Sequence, residues 1–341
     1  MKRLLSVLIM LILLFSAVSC KNGDEQTDTE TEEESYVMTD ISGIPAPAKI
    51  NGEELPYAVF RYYYSAVKYR YDQDNDAYWD KHDYTEKIRD EVMRYIRRNY
   101  AVVELAKQYD ISLDSVEKRK IEQQLYSERV SQYESDYDYY KTLDAYFLTD
   151  EVNYYIEEMA ALEDKLFEYL ISEDSGPKIS SDTALVKRYL DNYVIRADHI
   201  LILNEPGDDA NENETLIKEI YEKLQNGADF EELKETYSED EDTNTHDVGY
   251  YMAKNDISEI LSDAAFALEE GQMSEIIYAP YGYHIVKRLP KDEEYIKDNL
   301  NGYFLSFYQS HIFEEMLNKL KDKQTVEYDE SFYKYTPRTI K

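Results

Sequence analysis

Cysteine is almost missing from this chain: Cys20 stands alone among 341 residues. No intramolecular disulfide can form, so packing has to hold the fold. Glycine (10) and proline (8) are scarce while hydrophobic residues reach 43%, tyrosine alone contributing 36 positions. Few breakers with many apolar residues favour long helices over a sandwich or barrel. Basic residues run short as well, 38 against 72 acidic ones, for a net charge of -34. A surface this acidic repels phosphate backbones and anionic headgroups, which excludes nucleic acid as a partner. No glycine-rich phosphate loop is present, and His82 and His311 show no metal-ligand spacing. Asp72-Gln-Asp74-Asn-Asp76 has the alternating carboxylates of a calcium loop, but Ala77 stands where glycine is needed and Asp83 at the last ligand position. Neither a metal nor a cofactor is expected.

At the N-terminus, Lys2 and Arg3 precede an apolar run from Leu4 to Phe15, then the small-residue stretch Ala17-Val18-Ser19 and Cys20. That order spells a signal peptide over residues 1–19, and its apolar part is too short to span a bilayer. The ending resembles a bacterial lipobox, although Ala17 stands where the family usually has leucine. The resemblance implies a lipid on Cys20 and anchoring to the outer face of the bacterial cell membrane. An ordinary cleaved signal with an incidental cysteine is the other reading. Residues 21–35 carry seven acids and no apolar side chain, so an acidic, disordered tether is expected over 20–44.

Helical periodicity follows in residues 45–192, with Asp114 or Ser112 as one N-cap and Ser181-Asp182 as another, a helix near Asp150–Ile171 and a break at Ser175-Gly176-Pro177. From Val194 the texture turns to a β-rich run, Ile195 to Leu203, then a helix closed by Gly227, shorter pieces, and a last strand at Gly282–Arg288. Residues 193–290 therefore read as a small α/β unit. A helix over 294–320 and a tail complete 291–341, with Ile296, Leu300, Phe304, Phe307, Ile312, Met316 and Leu320 as its apolar side. The expected fold class is α+β: a mainly helical domain from both ends of the chain bracketing the α/β domain.

Ala197-Asp-His199-Ile-Leu-Ile, Gly227-Ala-Asp-Phe230, Tyr237-Ser-Glu-Asp240, Asp247-Val-Gly249-Tyr-Tyr251, Asp263-Ala-Ala-Phe266-Ala-Leu268, Gly271-Gln-Met-Ser-Glu275 and Tyr281-Gly-Tyr-His284-Ile follow one another in the order and spacing of the parvulin family. Residues 195–290 resemble its peptidyl-prolyl isomerase domain. The resemblance implies catalytic positions at His199, Asp240 and His284, and a proline pocket from Val248, Tyr251, Ile257, Leu261 and Phe266. Val248, Ile257 and Leu261 depart from the family's Leu, Met or Leu, and Phe. Ala279 replaces a small hydroxyl residue and His246 a glycine. On the residues alone, each histidine also reads as a core side chain, and Asp240 as part of the solvated run Glu239–Asp242.

Asn51-Gly-Glu-Glu-Leu-Pro-Tyr-Ala-Val-Phe60 resembles the entry to the helical chaperone domain of parvulin foldases. Tyrosines at 57–78 and 133–146 either line a cradle for unfolded chains or pack between helices. The expected function is an extracytoplasmic isomerase and foldase for secreted polypeptides containing X-Pro bonds. The alternative is a membrane-anchored holdase with a weak or inactive parvulin domain. Composition leaves the oligomeric state open.

Overall fold

A computed structural model describes residues 35–72, 76–80, 82–173, 178–204, 210–240, 248–254, 256–279 and 281–340. The expected signal peptide, Cys20, the tether to residue 34, Ser175-Gly176-Pro177, residues 73–75 of the calcium-like loop, and 241–247 with His246 lie outside them. In chain order the first elements are β1 (Ala48–Ile50), β2 (Glu53–Glu54), α1 (Tyr57–Asp72), α2 (Thr85–Gln108), α3 (Ser115–Gln132), α4 (Asp136–Ala145), α5 (Asp150–Ile171) and α6 (Thr183–Tyr193). Then come β3 (Val194–Leu203), α7 (Ala210–Gln225), α8 (Phe230–Tyr237), β4 (Tyr250–Ala253), α9 (Glu259–Ala267), β5 (Ile277–Ala279) and β6 (Gly282–Leu289). The chain closes with α10 (Glu293–Asn299), α11 (Tyr303–Lys321) and β7 (Val326–Tyr328). The fold is α+β, in two units: Met1–Tyr69, Asp76–Ser175 and Phe313–Lys341 make one, Arg70–Asn75 and Gly176–Ile312 the other.

Local chemistry sets many of the ends. Asp114 forms a capping box with Glu117 at the start of α3, and Thr149, Asp182 and Asp229 cap α5, α6 and α8. Asn51 and Gly52, at φ 52° and 83°, turn β1 into β2 in the left-handed conformations that a tight hairpin demands. On its other edge β1 pairs with β7, so the two ends of the chain meet in one small sheet.

The helical unit buries Tyr57, Tyr62, Tyr63 and Tyr64, so these tyrosines pack the core and are not free to form a cradle. Tyr63 and Tyr155 hydroxyls accept from the Asn99 amide, and burial pushes the Tyr62 phenol up to about 12. Residues 36–39, expected to be tether, are held: Tyr36 and Thr39 hydroxyls donate to Asp144 Oδ2, each at 2.9 Å. Burial works against the Asp144 charge, but bonds from Thr39, Tyr36 and Arg61 keep its carboxyl below the usual range.

The expected helix at 294–320 is interrupted at 300–302, where Gly302 lies in a turn. The interruption resets the helical phase. Beyond Phe304 the buried side runs through Tyr308, Phe313, Leu317 and Leu320, while Ile312 and Met316 stay half-buried. Among the described residues no helix is long and apolar enough to cross a membrane.

Arg98 on α2 ties the helical unit together. Its guanidinium grips Glu163 of α5 through two bonds of 2.8 Å and also binds Glu314 of α11. Arg98→Ala strands two half-buried carboxylates beside each other and is expected to cost about 3–5 kcal/mol. A lowered urea midpoint, followed through the fluorescence of Trp79 in the same unit, would register the loss.

Candidate functional site

The second unit is built on an antiparallel sheet of order β4-β3-β6-β5. β3 and β6 pair over eight residues, with Leu201 opposite His284 and His199 opposite Val286. Side chains alternate along a strand, so this register puts His199 and His284 on one face as diagonal neighbours. Their rings lie 5.4 Å apart, with the two Nδ1 atoms separated by 3.3 Å. His284 is buried, whereas His199 keeps 22% of its side chain exposed.

Asp240 arrives from the far end of α8. Past its pairing with β4, the edge of β3 is taken by the segment after that helix. Glu239 N donates to Leu201 O at 2.9 Å, Leu201 N to Ser238 Oγ at 3.2 Å, and Leu203 N to the Glu239 carboxylate at 2.7 Å. These bonds leave Asp240 Oδ2 2.6 Å from His199 Nε2. Tyr250 Oη donates to the same oxygen at 2.8 Å. His199 Nε2 faces the carboxylate and its Nδ1 faces His284 Nδ1, so contacts run in a chain from His284 through His199 to Asp240.

The same sheet face carries Ile195, Ala197, Met252, Ala279 and Val286, and Leu261 and Ala265 of α9 join them in one buried cluster, with Phe266 and Ile277 packed against it. Leu261 and Phe266 thus share one apolar cluster. Ile257 stays 38% exposed in the loop between β4 and α9. Its neighbour Asp256 accepts from Ala253 N at 2.7 Å and holds His311 Nε2 of α11 at 2.6 Å, which pins that loop. Val248 is half-buried and gives its carbonyl to Arg196.

Tyr251, expected in the pocket, is on the opposite face. It pairs with Arg196, stacks on Tyr295, meets Phe304 edge-on, and its hydroxyl accepts from Asp292 N. Tyr250, which pairs with Ala197, takes the place facing His199. Strand alternation shows that adjacent tyrosines must part, but not which of them meets the histidines.

Directly behind His199, on the reverse face, Asp198 and Lys234 form a buried ion pair of 2.5 Å, and Asp198 Oδ1 also accepts from His199 N. Burial works against the Lys234 charge, yet its bonds to the accepting Asp198 and Glu231 carboxylates raise its pKa above the ordinary lysine range. The pair bolts α8 to β3 just ahead of Asp240. Neither residue had a signal in the sequence, because the two are 36 positions apart and belong to different elements. Among the described residues no group of three or more His, Cys, Asp or Glu is placed to hold a metal ion.

Residues 199–289 match the Rotamase family, the PPIC-type PPIase domain, so the site just described lies in a peptidyl-prolyl isomerase domain of that type. The foldase protein PrsA of Bacillus subtilis is 30% identical over 132 residues, 38% of this chain and 42% of that relative. The chain therefore spans about two fifths of that relative's length. The foldase protein PrsA of Caldanaerobacter subterraneus is 24% identical over 341 residues, 94% of each chain. Among solved structures, PrsA from Bacillus subtilis aligns with 68% of this chain and 82% of its own at 24% identity, with a TM-score of 0.28.

Lys234→Ala leaves the Asp198 carboxylate buried without its cation and is expected to destabilise the second unit by about 3–5 kcal/mol. Accelerated amide exchange across β3 and α8 would report it. Asp198→Leu combined with Lys234→Leu should recover most of the protection, since no lone charge then remains inside.

Proposed function

We propose that the chain is an extracytoplasmic peptidyl-prolyl cis-trans isomerase and foldase for secreted polypeptides, held at the outer face of the bacterial cell membrane by a lipid on Cys20. The observation that carries this reading is the hydrogen-bonded chain of His284, His199 and Asp240 beside one apolar sheet face.

The reaction needs no cofactor and no covalent step. Amide resonance sets a barrier of about 18–20 kcal/mol to turning an X-Pro bond, and unassisted exchange takes roughly 10–100 s. The face with Met252, Leu261 and Phe266 offers the proline ring an apolar seat that excludes water. Resonance that stiffens the bond also places negative charge on the substrate carbonyl oxygen. With Asp240 beside that oxygen, the planar form is disfavoured relative to the twisted one. His199 holds the carboxylate in place, and buried His284 orients His199.

On the helical unit, Val116, Tyr126 and Val130 are 57%, 69% and 62% exposed and fall on one side of α3, a surface suited to apolar stretches of an unfolded client. A second reading, a holdase with little turnover, draws on Leu261, where the parvulin pattern has an aromatic.

The deciding assay is cis-to-trans exchange of a short X-Pro peptide, by the parent and by a folded His199→Ala, Asp240→Ala double variant. Acceleration by the parent alone supports the isomerase and its site; equal rates with and without the parent, beside suppressed aggregation of an unfolded client, leave the holdase. For the anchor, Cys20→Ser is expected to move the protein from the membrane fraction into the soluble extracytoplasmic fraction. Retention of that variant on membranes would refute lipidation.

A further inference from the structure

Tyr250 lies within the Asp247–Tyr251 motif but outside the catalytic and pocket positions that the parvulin resemblance implies, yet it touches two of the catalytic ones. Gly249, at φ +68°, brings the backbone so close to β3 that a Cβ there would meet Ala197 O and the Leu289 side chain at 3.0 Å. That approach sets Tyr250 opposite Ala197, hence on the face of His199. Its ring meets the His199 ring edge-on, with centroids 5.8 Å apart and planes at 76°. Its hydroxyl donates to Asp240 Oδ2 at 2.8 Å, the oxygen that also accepts from His199 Nε2 at 2.6 Å.

Two donors thus converge on one carboxylate oxygen from different strands, His199 from β3 and Tyr250 from β4. Asp240 belongs to no helix or strand, and its backbone anchors, Ser238 and Glu239, come before it in the chain. An aspartate on such a segment has freedom at χ1 and χ2 that one histidine contact does not remove. The second donor fixes the plane of the carboxylate, and a hydrogen bond donated to a carboxylate favours its charged form. The charged and titratable groups that face it include His199 and Tyr250 and, through His199, His284, with Glu239 adjacent in the chain.

We infer that Tyr250 is a positioning residue of the isomerase site, which aims the Asp240 carboxylate and holds it ionised. The inference rests on the isomerase reading above. Tyr250→Phe keeps the ring and its packing but removes the donor. In the full chain in detergent, kcat for the X-Pro peptide should fall about tenfold with KM unchanged, as the loss of one hydrogen bond to a charged group implies. By NMR, titration of the Asp240 side-chain carboxyl carbon should move to higher pH in the variant. In a double-mutant cycle, Tyr250→Phe should add nothing once Asp240→Asn is present, since the two act through one bond.

A parent that fails to accelerate exchange sinks the isomerase reading, and the role of Tyr250 with it. A parent that is active, beside a Tyr250→Phe variant with unaltered kcat or an unmoved Asp240 titration, overturns the inference about Tyr250 alone. Fully additive losses in the cycle would also overturn it.

Discussion

The pairing of β3 with β6 is the constraint on which the site depends. Its register places two histidines from opposite ends of the domain on one face, as diagonal neighbours, and leaves the other face to Ile200, Ile202 and Ile285 under α7 and α8. A slip of one residue would send His284 to the reverse side. Gly282 guards that register at the start of β6: a Cβ there would come within 2.0 Å of Ile202 O, so no larger residue can sit in this pairing. What β3 does beyond β4 matters equally. Its unpaired edge is satisfied by Ser238 and Glu239, and Asp240 reaches His199 as the next residue along.

Positive charge is scarce, and part of it is used at joints between elements. The chain has about half as many cations as acids, and several cations work at structural joints. Arg98 binds two glutamates, Arg61 binds Asp144, and Lys234 binds Asp198. Each holds a carboxylate that would otherwise be costly to bury. With 72 acids against 38 cations, the surplus acids keep the protein strongly negative.

Tyrosine illustrates what composition leaves open. Its density in α1 allowed either a surface for unfolded chains or packing between helices; Tyr57, Tyr62, Tyr63 and Tyr64 are buried, and the exposed apolar side chains of the helical unit include Val116, Tyr126 and Val130 on α3. A phenol is apolar enough to enter a core when its hydroxyl finds a partner, as Tyr63 does with Asn99. Density along a sequence does not say which face turns inward.

Much of this protein is written locally. The caps at Asp114 and Asp182, the Asn51-Gly52 turn, the bounds of α5 and the strand around His199 follow from short-range hydrogen bonding and hydrophobic period, which need only neighbours a few residues away. The ordered motifs from His199 to His284 likewise mark the domain without any knowledge of contacts. Tertiary structure alone decided that Tyr250 rather than Tyr251 faces His199, that Asp198 finds Lys234, that Tyr36 and Thr39 are held by Asp144, and that the buried stripe of α11 changes phase after Gly302. Each of these depends on register or on an approach between segments distant in the chain. Such approaches are set by how whole faces pack, and no pattern within a single element encodes them.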